Sequence, residues 1–508
     1  MFAACTLFLA ACGKQTVKIM TPPDASNRVQ FSAEQLQTTL DKAGYQVMMQ
    51  QGDTTFSDPE IKTILLTEVN DTTLKKEGFH ITTTGNLTKV SGRDGSGVIY
   101  GCRELIDRVN DSDGKLNFPE DLKDAPEMVL RGACVGLQKM TYLPGHGVYE
   151  YPYTPESFPW FYDKEQWIKY LDMLVANRMN SLYLWNGHPF ASLVKLEDYP
   201  FALEVDEETF KKNEEMFSFL TEEADKRGIF VIQMFYNIIL SKPFAEHYGL
   251  KTQDRNRPIT PLIADYTRKS IAAFIEKYPN VGLLVCLGEA MCTVEDDVEW
   301  FTETIIPGVK DGLQALGRTD EPPLLLRAHD TDCKLVMDAA LPIYKNLYTM
   351  HKYNGESLTT YEPRGPWSKI HTDLSSLGSI HISNVHILAN LEPFRWGSPD
   401  FVQKAVQAMH NVHGANALHL YPQASYWDWP YTADKLPNNE REFQLDRDWI
   451  WYQTWGRYAW NCHRDRTDEM GYWDHQLGKF YGTSDENASN IRVAYEESGE
   501  IAPKLLRR

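Results

Sequence analysis

Short apolar runs alternate with longer amphipathic segments along most of this 508-residue chain. Eight apolar runs after residue 128 predict buried strands, at Val129–Val135, Asn180–Trp185, Ile229–Tyr236, Val281–Leu287, Pro323–Arg327, Asn346–His351, Ile380–Leu388 and Ala417–Tyr421. Most segments between them have helical spacing, as at 163–177, 207–227, 265–278, 294–316 and 399–413. Because regular strand–helix alternation implies a parallel sheet, we predict a (β/α)8 TIM barrel. A doubly wound open sheet is the alternative, but the first strand lacks the glycine phosphate turn of that fold.

The pattern divides the chain into four regions. We predict a small α/β domain over residues 16–125 and the barrel over residues 128–460, after a short first region, residues 1–15. Residues 461–508 begin a helical C-terminal extension, and we expect the sequence to be a piece of a longer chain. The glycine-rich stretch Gly92–Gly101 lacks the Gly-Lys-Ser/Thr of a phosphate loop, so we interpret it as a tight strand-to-helix turn.

Residues 1–15 have the features of a processing signal. The apolar run from Phe2 to Ala11 is too short to span a bilayer, and Leu9-Ala10-Ala11-Cys12 resembles the bacterial lipoprotein cleavage motif. We therefore expect a lipid on Cys12 and a place in the bacterial cell envelope, in the periplasm or on the outer membrane surface. An ordinary secretion signal is the alternative. No later run is long enough to span a membrane, so the lipid would be the membrane contact.

Charge and composition narrow the classes of partner. The net charge of −19 argues against nucleic acid, which is bound by Lys and Arg. The aromatic content of 12% suits stacking on sugar rings, and it also suits a large aromatic core. The cysteines are scattered without a Cys-x-x-Cys pair, and His and carboxylates show no metal-binding spacing. We expect no metal and no cofactor.

Polar and aromatic residues follow nearly every predicted strand, where a barrel places its chemistry. Glu289 follows the fourth strand and Glu392 follows the seventh. Most glycoside hydrolases cleave the glycosidic bond with two carboxyl groups. Glu356 after the sixth strand is a third candidate catalytic acid. The predicted substrate-binding residues at the strand ends are Trp185, Asn186, His188, Asn237, Arg327, His329, Asp330, Lys352, Tyr421, Gln423 and Trp427.

Each acid also has a structural interpretation. Glu289 could favour the start of the next helix, where negative charge is stabilising. Glu392 could pair with Arg395, and Glu356 could be a loop acid. His188 could line the pocket structurally, and His329 and Asp330 could be a core histidine and a helix cap.

Several segments resemble the family 67 α-glucuronidases. They are Tyr100-Gly-Cys-Arg-Glu-Leu105, the barrel start Leu130-Arg-Gly, Glu289 after the fourth strand and Lys352-Tyr-Asn-Gly-Glu356. The small domain is also similar to the one that precedes β-hexosaminidase barrels. The family 67 resemblance implies that Glu289 is the general acid, that Glu356 or Glu392 is the base, and that Arg327 and Lys352 bind a uronate carboxylate.

We therefore predict a glycoside hydrolase that removes a terminal or side-chain sugar, with a uronic acid as the candidate sugar, from an oligo- or polysaccharide. A non-catalytic surface glycan-binding lipoprotein is the first alternative. A β-hexosaminidase-like enzyme is the second, but it needs Asp before the acid after strand four, and Gly288 stands there. Inversion and retention of the anomeric centre both stay open.

Overall fold

The computed structural model describes residues 15–56, 58–137, 152–236, 239–289, 291–356, 358–385, 396–423, 429–501 and 505, without the side chains of Glu356 and Ala433. The chain divides into two compact units. The first comprises Met1–Pro126 with Lys226–Gly228, and the second comprises Glu127–Asp225 with Ile229–Arg508. No helix among the described residues has the length and apolar character that crossing a membrane requires.

The first unit is a six-stranded mixed sheet with two helices. Its strands are β1 Thr16–Thr21, β2 Gln46–Gln51, β3 Lys62–Glu68, β4 Phe79–Thr84, β5 Leu87–Gly92 and β6 Asp121–Asp124, in the order β2-β1-β3-β5-β4-β6. Its helices are α1 Asn27–Lys42 and α2 Gly95–Asp111. β4 and β5 form a hairpin across Thr84-Gly85-Asn86, where they pair antiparallel and Gly85 has a φ of 58°.

The glycine-rich stretch between β5 and α2 is a tight turn, as predicted. A Cβ on Gly92 would lie 2.3 Å from the backbone nitrogen of Val98, and one on Gly97 would lie 2.3 Å from the carbonyl oxygen of Gly78. Asp94 caps α2, since its carboxylate accepts from the N–H of Gly97 at 2.9 Å. These glycines permit close backbone packing.

The second unit contains a closed barrel of eight parallel strands, which confirms the predicted (β/α)8 TIM barrel. The strands are β7 Leu130–Gly136, β8 Ser181–Trp185, β9 Phe230–Phe235, β10 Val281–Val285, β11 Leu324–Arg327, β12 Leu347–Glu356, β13 Ile380–Val385 and β14 Ala417–Leu420, and β14 pairs with β7 to close the ring. Inward-facing apolar side chains from all eight strands, among them Cys134, Ile232, Leu284 and Met350, fill the interior.

Helices follow most of the barrel strands. They are α3 Lys164–Ala176, α4 Phe190–Leu193, α5 Glu207–Lys226, α6 Lys242–Tyr248, α7 Pro261–Lys277, α8 Val294–Glu299, α9 Ile306–Ala315, α10 Cys333–Ala340, α11 Pro366–Ser375 and α12 Pro399–Gln407. Short 3₁₀ turns occupy Pro159–Tyr162 and Pro200–Ala202. The predicted helix 294–316 is divided by a π-helical turn at Trp300–Ile305 into α8 and α9.

A small hairpin and four helices complete the chain. They are β15 Tyr431–Lys435 and β16 Arg441–Phe443, then α13 Gln444–Arg447, α14 Trp449–Trp460, α15 Arg466–Tyr481 and α16 Asp485–Gly499. Most aromatic residues of α14 are core residues, since Trp451, Trp455, Tyr458 and Trp460 are fully buried. This helix therefore accounts for part of the high aromatic content by packing.

Candidate active site

The carboxyl ends of three neighbouring strands, β10, β11 and β12, bring together the charged residues predicted for the site. β11 ends at Arg327, and Lys352 lies within β12. β10 ends at Val285, two residues earlier than predicted, so Cys286, Leu287 and Gly288 precede Glu289 in a loop. Parallel pairing of the strands makes these three ends adjacent in space.

We call the carboxyl-terminal end of the barrel the mouth. Glu289 is bound there by a buried arginine. The Arg327 Nη1 donates to Oε2 of Glu289, and the two side chains are 5% and 25% exposed. The Arg327 guanidinium also lies 5.2 Å from the ring centre of Trp185, and its Nη1 lies 3.7 Å from Sγ of Cys286. Nε2 of His329 lies 3.8 Å from Oε1 of Glu289. A charge-assisted bond from a buried guanidinium fixes Glu289 while leaving part of the carboxylate open to solvent.

The loop that carries Glu289 interlocks with the loop after β11. A Cβ on Gly288 would lie 1.9 Å from the carbonyl oxygen of Asp330, so only glycine fits. The Gly288 N–H donates to Oγ1 of Thr331 at 3.0 Å, and Arg255 donates to the Gly288 carbonyl at 2.6 Å. Asp330 has a φ of 51°, in the left-handed region. These contacts set the position of the acid.

A second cation lies beside this pair. Lys352 is 7% exposed, and its carbonyl accepts from the His351 ring at a Nδ1–O distance of 2.9 Å. Burial raises the pKa of the Cys286 thiol to about 11, with Arg327 and Lys352 opposing that shift and Glu289 adding to it. The two cations and the acid therefore all act electrostatically on the same thiol.

Aromatic side chains form the floor of the mouth. The ring centres of Trp185 and Tyr236 are 6.3 Å apart and those of Trp185 and Tyr421 are 5.5 Å apart, both edge to face. Trp185 is 4% exposed and Tyr421 1%. Gln423 donates to the carbonyl of Trp396, and its buried Oε1 has no hydrogen bond to a described residue. Trp185 and Tyr421 thus pack against each other and expose little area for a sugar ring.

Asn186 and His188 hold the loop after β8. The Asn186 side chain donates to the carbonyl of Leu137 at 3.1 Å and accepts from the His188 N–H at 2.9 Å. Nε2 of His188 lies 3.3 Å from the hydroxyl of Tyr266, and burial lowers the His188 pKa to about 4. His188 is therefore neutral at neutral pH and packs behind the mouth.

The remaining candidates lie beyond what the structure describes. Cys12, Asn237, Glu392 and Trp427 fall outside the described residues, and for Glu356 the structure describes the backbone alone, at the end of β12. Their predicted roles stay predictions.

Trp367 is an aromatic residue at the mouth that the sequence prediction did not include. It lies in the first turn of α11, is 38% exposed, and its ring centre is 5.5 Å from that of His351. A Cβ on Gly355 would lie 2.9 Å from the Trp367 ring, so glycine allows this ring to pack over β12. Its position follows a helix start rather than a strand end, which is why a search of strand ends missed it.

This chain is similar to a family model and to solved structures. The family model described as glycosyl hydrolase family 20, domain 2, matches residues 12–120. A solved structure, described as a GH138 enzyme targeting pectin rhamnogalacturonan II, is 74% identical with a TM-score of 0.91, over 97% of this chain and 56% of that chain. This chain thus spans a little over half the length of that relative. A search of curated proteins finds no match.

Two distant structures share the fold. The Streptomyces plicatus N-acetyl-β-hexosaminidase is 11% identical with a TM-score of 0.54, over 92% of this chain and 91% of that one. The Flavobacterium johnsoniae chitobiase is 12% identical with a TM-score of 0.57, over 97% of this chain and 71% of that one.

The resemblance to family 67 α-glucuronidases was wrong, because the matches are to a GH138 enzyme and to family 20 folds. Two of the segments that suggested it serve packing. Arg131 of the Leu-Arg-Gly segment donates to the carbonyl of Arg178 at 2.8 Å, and a Cβ on Gly101 of the Tyr-Gly-Cys segment would lie 2.5 Å from Val90. Such contacts stabilise a barrel or a sheet–helix layer whatever its substrate, so they do not separate families.

Proposed function

We propose that this chain forms the catalytic barrel of a glycoside hydrolase that acts on the pectic polysaccharide rhamnogalacturonan II. The observation that carries the reaction type is the position of Glu289, a partly exposed carboxyl group at the adjoining carboxyl ends of β10 and β11. The substrate rests on the 74% identity to an enzyme described as targeting rhamnogalacturonan II. Because this chain spans 56% of that enzyme's length, the proposal concerns the barrel.

Glu289 is the proposed general acid. It would donate a proton to the glycosidic oxygen as the bond to the anomeric carbon breaks. A second carboxylate, from Glu356 or Glu392, would either activate a water molecule or attack the anomeric carbon. The proton leaves with the aglycone alcohol, and water supplies the new hydroxyl of the released sugar. The other proton of that water passes to the second carboxylate if the enzyme inverts, or back to Glu289 if it retains.

Arg327 and Lys352 suit a sugar that carries a carboxylate. Both are buried at the mouth, at 4% and 7% exposure, and Glu289 is the acid bound to Arg327. Nη1 of Arg327 makes that bond, and a guanidinium has further N–H donors with the planar geometry that a carboxylate accepts. An acidic sugar would therefore gain charge-assisted hydrogen bonds that a neutral sugar lacks.

The test of the acid is Glu289→Gln, measured as sugar release from rhamnogalacturonan II. We expect turnover to fall by about 10²–10⁴-fold with glycan binding retained, since general acid catalysis contributes that much. Glu276→Gln, an exposed change on α7, is the matched control. Unchanged turnover in Glu289→Gln would show that Glu289 is not the general acid. Binding without release by the wild type would instead favour a non-catalytic glycan-binding protein.

Aryl glycosides with good leaving groups identify the second carboxylate. They need little protonation, so Glu289→Gln should retain much of its turnover on them. The variant of Glu356 or Glu392 that loses this turnover as well is the base or nucleophile. Proton NMR of the anomer that is released first then shows whether the enzyme inverts or retains the anomeric configuration. Inversion would imply that the two carboxyl groups are ~6.5–9.5 Å apart, and retention that they are ~5–5.5 Å apart.

Replacing Arg327 with lysine tests the acidic sugar. The variant keeps a positive charge but loses the planar fork and the contact with Trp185. We expect the ratio of kcat/KM for a uronate glycoside over its neutral analogue to fall by about tenfold, within the range of a lost charged hydrogen bond. An unaltered ratio would mean that the site does not recognise the carboxylate.

We also propose that Cys12 is lipidated and anchors the protein in the cell envelope, on the strength of Leu9-Ala-Ala-Cys12. Metabolic labelling with a radioactive fatty acid tests this. We expect the wild type to incorporate the radioactive fatty acid and Cys12→Ser to incorporate none. Incorporation into both proteins would contradict the proposal.

A further inference from the structure

Three metal-binding side chains converge at the amino-terminal end of the barrel. Glu127 lies just before β7, and Cys462 and His463 follow α14. A carboxylate oxygen of Glu127, Sγ of Cys462 and a ring nitrogen of His463 all lie within 4.8 Å of one another. We call these three residues the basal cluster. It lies at the opposite end of the strands from Glu289, so it is separate from the proposed catalytic mouth.

The basal cluster is held in place by hydrogen bonds of its own backbone. The Cys462 N–H donates to Oε2 of Glu127 at 2.7 Å, and the Glu127 N–H donates to the carbonyl of Trp460 at 2.9 Å. The side chains of Gln403 and Gln407 both donate to the Cys462 carbonyl, at 3.2 and 2.9 Å. The thiol and the carboxylate are therefore fixed before any ligand arrives, which lowers the entropic cost of binding one.

Access to the basal cluster is through His463. Cys462 is fully buried, whereas the His463 side chain is 52% exposed, with Nε2 3.7 Å from Oε1 of Glu127. An ion could enter from solvent at the imidazole and reach the buried sulfur. A shift of about an ångström would bring the three donors to the ~2.0–2.3 Å bond lengths that zinc requires.

We infer that the basal cluster binds a zinc ion. One sulfur, one imidazole nitrogen and one carboxylate oxygen match the ligands of a tetrahedral zinc site, with water as the fourth ligand. A thiolate disfavours magnesium and calcium, which prefer oxygen alone. Binding requires the Cys462 thiol to lose its proton, which passes to solvent.

The ion would stabilise the fold rather than take part in the reaction. Glu127 and Cys462 are separated by 335 positions in sequence, and a metal between them would fasten the segment before β7 to the end of α14. This inference does not depend on the proposed hydrolase activity.

The test is zinc binding by the full chain, prepared without an affinity tag and stripped with a chelator. After equilibrium dialysis against zinc chloride, we expect one zinc per chain by elemental analysis. Cys462→Ser should abolish binding, and His463→Gln should weaken it by more than the about 10–100-fold typical of losing a second-shell partner. His475→Gln is the matched control, because that histidine forms a similar surface pair with Asp485, at 3.6 Å.

Cobalt substitution identifies the sulfur ligand directly. The cobalt-loaded protein should show a near-ultraviolet sulfur-to-cobalt charge-transfer band that is missing in Cys462→Ser and kept in His475→Gln. Zinc should also raise the unfolding temperature of the wild type and not that of His463→Gln, whose exposed side chain is removed without loss of core packing. Equal zinc content in wild type and both cluster variants, or no retained zinc in the wild type, would overturn the inference.

Discussion

At the scale of single residues, Gly288 decides where the candidate acid stands. Its Cα lies so close to the loop after β11 that an added Cβ would be 1.9 Å from the Asp330 carbonyl oxygen. That oxygen belongs to backbone, so the loop cannot yield by a side-chain rotation. The geometry of the Glu289–Arg327 pair therefore depends on a residue without a functional group.

We expect Gly288→Ala to lower turnover at least as much as a 1 Å misplacement does, about 10²-fold, since the Glu289 loop must shift. Sugar release from rhamnogalacturonan II and thermal unfolding would be measured together. Gly471→Ala is the control, because that glycine in α15 has open space around its Cβ position and alanine favours a helix by about 0.5–1 kcal/mol. Equal turnover in both variants would contradict the role of Gly288.

At the scale of elements, the first turn of α11 supplies the aromatic surface that the buried floor lacks. Trp367 is 38% exposed and packs beside His351 on β12. Trp367→Ala should raise KM for the polysaccharide by about tenfold with little change in kcat, because stacking that is equal in ground and transition states affects binding alone. Tyr481→Ala, which removes an aromatic ring of similar exposure (41%) at the end of α15, serves for comparison. A fall in kcat at constant KM would instead place Trp367 in the chemistry.

The start of α8 carries a buried acid whose ionisation opposes folding. Asp297 is 3% exposed, its Oδ1 has no hydrogen bond to a described residue, and burial raises its pKa from 3.8 to about 7. Between these values the folded protein holds a proton that the unfolded chain has lost. Stability should therefore fall as pH rises from about 4 to 7, and the full penalty persists above that range.

Asp297→Asn should remove this penalty. At pH 8 we expect the variant to be more stable than the wild type by on the order of 4 kcal/mol, at about 1.4 kcal/mol per pKa unit, and at pH 4 the difference should be small. Denaturant unfolding at both pH values measures it, with Glu295→Gln in the same helical turn as control. An equal difference at pH 4 and pH 8 would point to packing rather than ionisation.

The elements themselves were largely predictable, because a buried parallel strand reads as an apolar run such as Val281–Val285 whatever surrounds it. The contacts between distant residues were not. The sequence indicated Arg327 as a ligand for substrate, but its bond to Glu289 depends on the neighbouring positions of β10 and β11. The basal cluster joins residues 335 positions apart, and Trp367 lies on a helix start, so neither has a local signature.

At the scale of the whole molecule, the two ends of the barrel have different tasks, as in other folds of this type. The carboxyl ends carry Glu289, Arg327 and Lys352. The ring closes where β7 pairs with both β14 and β8, and the residues of β7 that pair with β14 are its first four. Arg131 is the centre of that closure, fully buried within the first residues of β7.

Arg131 satisfies two backbone carbonyl groups near the start of β7. Its Nε donates to the carbonyl of Arg178 at 2.8 Å and its Nη1 to that of Met128 at 2.6 Å, while its guanidinium lies 5.4 Å from the ring of Trp460. Arg131→Met would fill a similar volume and leave both carbonyls without these donors. At about 1.5–3 kcal/mol per hydrogen bond to a charged group, we expect a loss of at least about 3 kcal/mol in the free energy of unfolding.

Denaturant unfolding of Arg131→Met would be compared with that of Arg318→Met. Arg318 forms an exposed ion pair with Asp320, which should contribute only about 0–1 kcal/mol. The protein that remains folded should release sugar at the wild-type rate per molecule, because Arg131 lies at the opposite end of the strands from Glu289. A comparable loss of stability in both variants would show that the charge, and not the closure of the ring, is what Arg131 contributes.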